Sequence, residues 1–167
     1  GMNDSDNFDQ SPESLSRRSG KRNYLNREDI SDDYFLWANA VVEKVLKVYP
    51  DKWFGLLAYN ELAEPPARVK VHPRIVPFLT YERLYWLDPE MEIHNKAIQE
   101  RWEQASEVLG WYDYIYGLMY MVPRIYPHQT KETLQWGLNH KVRYFCAEMY
   151  PNWGEGPKVW LQAKLLW

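Results

Sequence analysis

The sequence predicts an α/β fold with parallel strands, and more narrowly the C-terminal half of a (β/α)8 barrel. Three observations carry this. Short apolar runs alternate with stretches of helical period, the pattern of a parallel sheet with right-handed crossovers. The apolar runs end on acid, amide or aromatic side chains, as in Trp53-Phe-Gly-Leu-Leu-Ala-Tyr-Asn-Glu61 and Arg143-Tyr-Phe-Cys-Ala-Glu148, and polar groups delivered at strand C-termini describe the active face of such a barrel. The chain has 167 residues, against the roughly 250 of a typical eight-stranded barrel.

Taken in order, Asn3-Asp4 reads as the end of a strand whose body precedes the chain, and residues 5–30 as a long polar loop or ordered excursion without period. Ser31-Asp-Asp33 is a helix start, and Tyr34, Ala38, Val41, Val45 and Tyr49 then recur at helical spacing up to Pro50. A strand covers 53–60, and the dozen residues before the next strand, at 74–81, leave no room for a helix. A helix over 93–109 presents Ile98, Trp102, Ala105 and Leu109 on one face, with Gly110 as its stop. A strand over 112–120, a helix from Pro127 to His140, a strand over 142–149 and a helix with Pro157 in its first turn follow. Counted back from 142–149 these are strands five to eight, so residues 1–167 form one partial barrel that the remainder of the same polypeptide completes. A self-contained flavodoxin-like sheet is the competing fold.

Composition narrows the chemistry. A net charge of −3 and a pI near 5.8 argue against nucleic acid, whose phosphates need a basic face. Arg17, Arg18, Lys21, Arg22 and Arg27 sit among acids and read as a solvated loop. The single cysteine, Cys146, excludes an internal disulfide and, inside an apolar strand, reads as a small core residue. No apolar run reaches the roughly 18 residues of a membrane span. The four histidines lack metal-ligand spacing and no glycine-rich phosphate cradle occurs, so neither a metal nor another cofactor is called for. Nine Trp and thirteen Tyr exceed what packing usually demands. Rings with one apolar face and one polar tip suit a partly wet cleft.

Carboxylates at strand ends point to acetal hydrolysis, which needs a proton donor at the leaving oxygen and a second carboxylate as nucleophile or base. Asp4, Glu61, Glu82 and Glu148 are the candidates. Asp4 and Glu61 end neighbouring strands in this register, so Asp4 is assigned as general acid and Glu61 as nucleophile or base. Asn3 and Asn60 would hydrogen-bond substrate hydroxyls, Arg83 and Tyr120 would orient the ring, and Tyr59, Trp86, Tyr120 and Trp153 would line one cavity. Glu148 would bind substrate or pair with Arg83 or Arg124. Arginines here could also grip a substrate carboxylate.

Gly1-Met-Asn-Asp-Ser5, Tyr49-Pro-Asp-Lys52, Leu57-Ala-Tyr-Asn-Glu61 with Pro65-Pro66, Tyr150-Pro-Asn-Trp-Gly154 and Ala163-Lys-Leu-Leu-Trp167 together resemble a bacterial family of domains of unknown function, DUF4838. That family is similar to glycoside hydrolase barrels of the α-glucuronidase and β-hexosaminidase type. The resemblance implies a glycoside-hydrolase-like domain acting on the O-glycosidic bonds of a complex glycan, exported from the cell, with its general acid at Asn3-Asp4. Hexosaminidases carry an Asp-Glu pair at that place. The departure at both positions weakens a mechanism that uses the substrate's acetamido group. A non-catalytic carbohydrate-binding relative is the alternative within the same fold.

Overall fold

A computed structural model describes residues 8–115, 124–149 and 154–167. Four strands, β1 (Phe54–Ala58), β2 (Ile75–Thr80), β3 (Leu109–Tyr114) and β4 (Val142–Glu148), form one all-parallel sheet in the order β1-β2-β3-β4. Helices α1 (Pro12–Arg17), α2 (Ser31–Leu46), α3 (Pro89–Ala105), α4 (Pro127–Asn139) and α5 (Gly156–Leu165) accompany it. Doubly wound folds reverse their strand order at a switch point. The described sheet has none, which removes the main support for the flavodoxin-like alternative.

The strand period of two sorts the side chains onto two faces. Leu56, Ala58, Ile75, Leu79, Leu109, Trp111 and Val142 face the helices and join Phe35, Ala38 and Val42 of α2 and Ile98 and Trp102 of α3 in a single buried cluster. Gly55, Leu57, Phe78, Gly110, Tyr112, Tyr144, Cys146 and Glu148 fall on the other face by the register. That face is partly open, with Tyr144 42% exposed and Cys146 exposed. The small core role expected of Cys146 is therefore corrected: alternation turns it away from the helices. Phe78 lies flat between two glycines, since a Cβ on Gly55 or Gly110 would come within 2.9 or 2.6 Å of its ring.

Three expected elements differ in their bounds, the first being α2, which stops at Leu46 rather than running on to Pro50. The helix expected over 93–109 is α3, Pro89–Ala105. Asp88 starts it by accepting from the backbone N–H of Glu90 and Met91, with Pro89 in the first turn, a capping arrangement stronger than the apolar period alone. Gly110 does not stop that helix, because Leu109 and Gly110 open β3, so the strand expected over 112–120 begins three residues earlier and ends at Tyr114. Residues 116–120 lie outside the described residues.

The polar stretch ahead of α2 is an ordered excursion. Ser11 caps α1 through Ser14, Arg22 and Glu28 form an antiparallel bridge, and the Tyr24 N–H donates to Glu64 at 3.0 Å. Arg18 is not solvated: its side chain is 3% exposed and pairs with Glu28 at 3.0 Å. Among the described residues no helix is long and apolar enough to cross a membrane.

Candidate active site

The C-terminal ends of the strands bring four polar side chains together on the open face. Tyr112 and Tyr114 stand two apart on β3, so both point off the same face, with ring centroids 5.9 Å apart. Tyr114 is in register with Glu148 of β4, and Tyr112 with Cys146. The Tyr112 hydroxyl donates to Glu148 Oε1 at 2.9 Å. Tyr59 follows β1 with extended backbone, which continues the alternation onto this face, and it is hydrogen-bonded to Tyr114 across the end of β2. Burial pushes the Tyr114 phenol well above its ordinary value, and its neighbours Tyr59 and Glu148 push it further the same way. The group therefore combines a proton-bearing phenol with a carboxylate already engaged by a second phenol. Such a set can hold and order a polyhydroxylated ligand.

Immediately beyond Tyr59 the chain turns through Asn60, whose φ is +51°, into the short 3-10 helix Asn60–Leu62. The Asn60 carbonyl accepts from the Asn23 side chain, tying the turn to the N-terminal excursion. Glu61 is partly exposed at the same end of the sheet, and its carboxylate faces Arg27 at 3.9 Å with the two side chains 26% and 58% exposed. Its backbone carbonyl accepts from the Ile30 N–H at 3.3 Å.

Two residues expected to face substrate are placed inside the protein. The Arg83 side chain is 3% exposed. It donates to the carbonyls of Leu79, Tyr81 and Tyr112, pairs with Asp113 at 3.5 Å and stacks over the rings of Tyr81 and Trp111. These contacts clamp β2 to β3. Trp86 is 2% exposed and packs against Trp111 and Trp136, so it is not beside Tyr59 on the open face. Glu148 meets Tyr112; no ion pair joins it to Arg83 among the described residues. Asn3, Asp4, Tyr120 and Trp153 lie outside the described residues, and with them the spacing of the Asp4–Glu61 pair.

Tyr112 and Tyr114 carry the group, and the sequence reading passed over both as site residues. The signal was present in Tyr112-Asp-Tyr114: placing the strand end at Tyr120 moved attention past them. Asp113 points to the helix side. Its Oδ1 accepts from the backbone N–H of Arg83 at 3.1 Å and of Tyr114 at 2.8 Å. Among the described residues no cluster of three or more His, Cys, Asp and Glu is arranged to hold a metal ion.

The model of the family DUF4838, described as a domain of unknown function, matches residues 1–167. No curated protein and no solved structure matches the chain.

Proposed function

The chain belongs to the DUF4838 family, and from that premise we propose that it supplies the C-terminal half of a (β/α)8 barrel acting on O-glycosidic bonds. The observation that carries the reading is the convergence of Tyr59, Tyr112, Tyr114 and Glu148 at the C-terminal ends of the parallel strands, where barrels of this kind place their chemistry. The strictly sequential order of the described strands, and the packing of α2 and α3 against one face of the sheet, support the barrel half. So does the open face. There Phe78 and Tyr144, from alternate strands, stand in one row with Gly110 between them, as interior barrel layers alternate large and small residues. The remainder of the polypeptide would supply the other four strands.

In this reading the sugar lies on the rim, with its hydroxyls ordered by Glu148, Tyr112, Tyr59 and Asn60. Asp4 protonates the leaving oxygen, and Glu61 attacks the anomeric carbon or activates water. A single-displacement mechanism needs roughly 6.5–9.5 Å between the two carboxyls and a double displacement about 5–5.5 Å. The Arg27–Glu61 ion pair favours a second reading, in which the rim binds glycan without hydrolysing it because the carboxylate is already engaged.

Turnover by the complete protein on a glycan panel separates them. Hydrolysis should fall at least about 100-fold in Asp4→Asn and in Glu61→Gln, whereas Glu148→Gln should chiefly raise KM. Wild-type protein that binds glycan without turnover establishes the second reading. Unchanged kinetics in all three variants would remove the rim from the chemistry.

A further inference from the structure

Among the described residues, the carboxylate of Glu148 meets no cation. It is half-buried at the end of β4 and receives the Tyr112 hydroxyl at 2.9 Å. The cations at the same end of the sheet are engaged elsewhere: Arg27 faces Glu61, Arg83 pairs with Asp113, Lys158 pairs with Glu155, and Arg124 has an interaction of its own. A phenol's hydrogen bond leaves the charge of a carboxylate in place, and a charge drawn partly out of water is costly without a counter-ion. A carboxylate is also acceptor-only, with about four lone-pair sites. The Tyr112 hydroxyl fills one of them.

The walls around this carboxylate suit a cation better than a neutral donor. Tyr112 and Tyr114 stand at 69° to each other with ring centroids 5.9 Å apart. Tyr114 is the register partner of Glu148, one strand spacing of about 4.8 Å away. Aromatic faces are negative and attract a cation held within about 6 Å. Burial keeps Tyr114 protonated, so this phenol adds no second charge. A ligand hydroxyl would fill a lone pair of Glu148 and leave its charge uncompensated, whereas an ammonium does both. The net charge of −3 favours the approach of a cation and opposes that of a uronate.

We infer that the rim binds a primary ammonium group with Glu148 as its counter-ion. That an amino sugar carries the ammonium rests on the carbohydrate reading; that Glu148 takes a cation does not. The sugar ring would then extend from Glu148 along the phenols toward Tyr59.

The test is calorimetry on the complete protein with glucosamine, N-acetylglucosamine, glucose and ethanolamine at about pH 6, where amines are charged and carboxylates ionised. Glucosamine should bind at least about tenfold more tightly than glucose or N-acetylglucosamine. That margin should shrink as salt rises, and again above about pH 8 as the amine gives up its proton. Glu148→Gln should weaken glucosamine binding about tenfold and remove the margin, and Glu148→Asp should keep part of it. Circular dichroism on each variant controls for folding, and the salt and pH profiles of the wild-type protein need no variant. Ethanolamine binding as tightly as glucosamine, with glucose unbound, keeps the ammonium site and sinks the carbohydrate reading. Equal affinities for the three sugars keep that reading and overturn the inference. So does a folded Glu148→Gln variant with the margin intact, or the absence of binding by either amine.

Discussion

Asp32 shows how a single side chain ties the loop between β1 and β2 to α2. It lies in the first turn of α2, with its side chain 4% exposed, and accepts from the Arg68 backbone N–H and Nε, both at 2.8 Å. Burial by itself raises the carboxyl pKa. The hydrogen bonds and charge of Arg68 outweigh it and hold Asp32 below the ordinary range. A depressed folded-state pKa contributes stability that is present above the unfolded value of about 3.9 and is lost as pH falls through the folded one. Melting temperature should therefore decline below about pH 4, and Asp32→Asn should lose about 1–3 kcal/mol at neutral pH while flattening part of that acid slope. Melts from pH 2 to pH 7 check this; an acid slope unchanged in the variant would mean Arg68 does not hold the carboxylate. Ser31-Asp-Asp33 announced the helix start correctly, yet none of the three acts as a cap. Ser31 donates to the Glu64 carbonyl, Asp32 engages Arg68 and Asp33 accepts from Ser14. Start signals are local and were legible, whereas the tertiary partners that take the side chains were not.

At the scale of elements, α4 presses unusually close to the sheet. A Cβ on Gly137 would come within 2.4 Å of the Trp111 ring. That ring cannot yield cheaply, because its Nε1 donates to Gln99 at 2.8 Å and Arg83 lies 4.0 Å from its centroid. Alanine in a helix interior normally gains up to about 1 kcal/mol over glycine, and overpacking a filled core costs about 1–3 kcal/mol, so the clash decides. Gly137→Ala should destabilise, by denaturant unfolding, where helix propensity alone predicts the opposite. A more stable variant would show that α4 stands off from β3. The bounds of α4, β1, β2 and β4, and the start of α2, were readable from period and punctuation, whereas α2 stops at Leu46, short of the Tyr49 that its period suggested. Those of α3 and β3 were misjudged because a glycine after a helical run reads as a stop, and only the Phe78 ring across the sheet explains why Gly110 belongs to a strand. The same misplacement hid Tyr112 and Tyr114, so the rim was legible as a place before it was legible as residues.

For the molecule as a whole, the helices bury one face of the sheet and leave the other with aromatic and polar side chains partly open. Among the described residues β1 and β4 are its two edges. Unpaired edges template further pairing, and parallel sheets are ordinarily covered on both faces. In the barrel reading four further strands cap this face and pair both edges, enclosing Phe78 and Tyr144. Residues 1–167 by themselves should then self-associate or bind a dye for exposed apolar surface. The complete polypeptide should run as a single species on size exclusion with light scattering and unfold cooperatively in denaturant. Cys146 gives a local readout: exposed on the open face here, its thiol should react readily with a maleimide in residues 1–167 alone and at least about tenfold more slowly in the complete protein, because an interior layer would cover it. A monodisperse, cooperatively unfolding monomer of residues 1–167, with Cys146 equally reactive in both, would mean that nothing covers this face, and the barrel reading would fall with it.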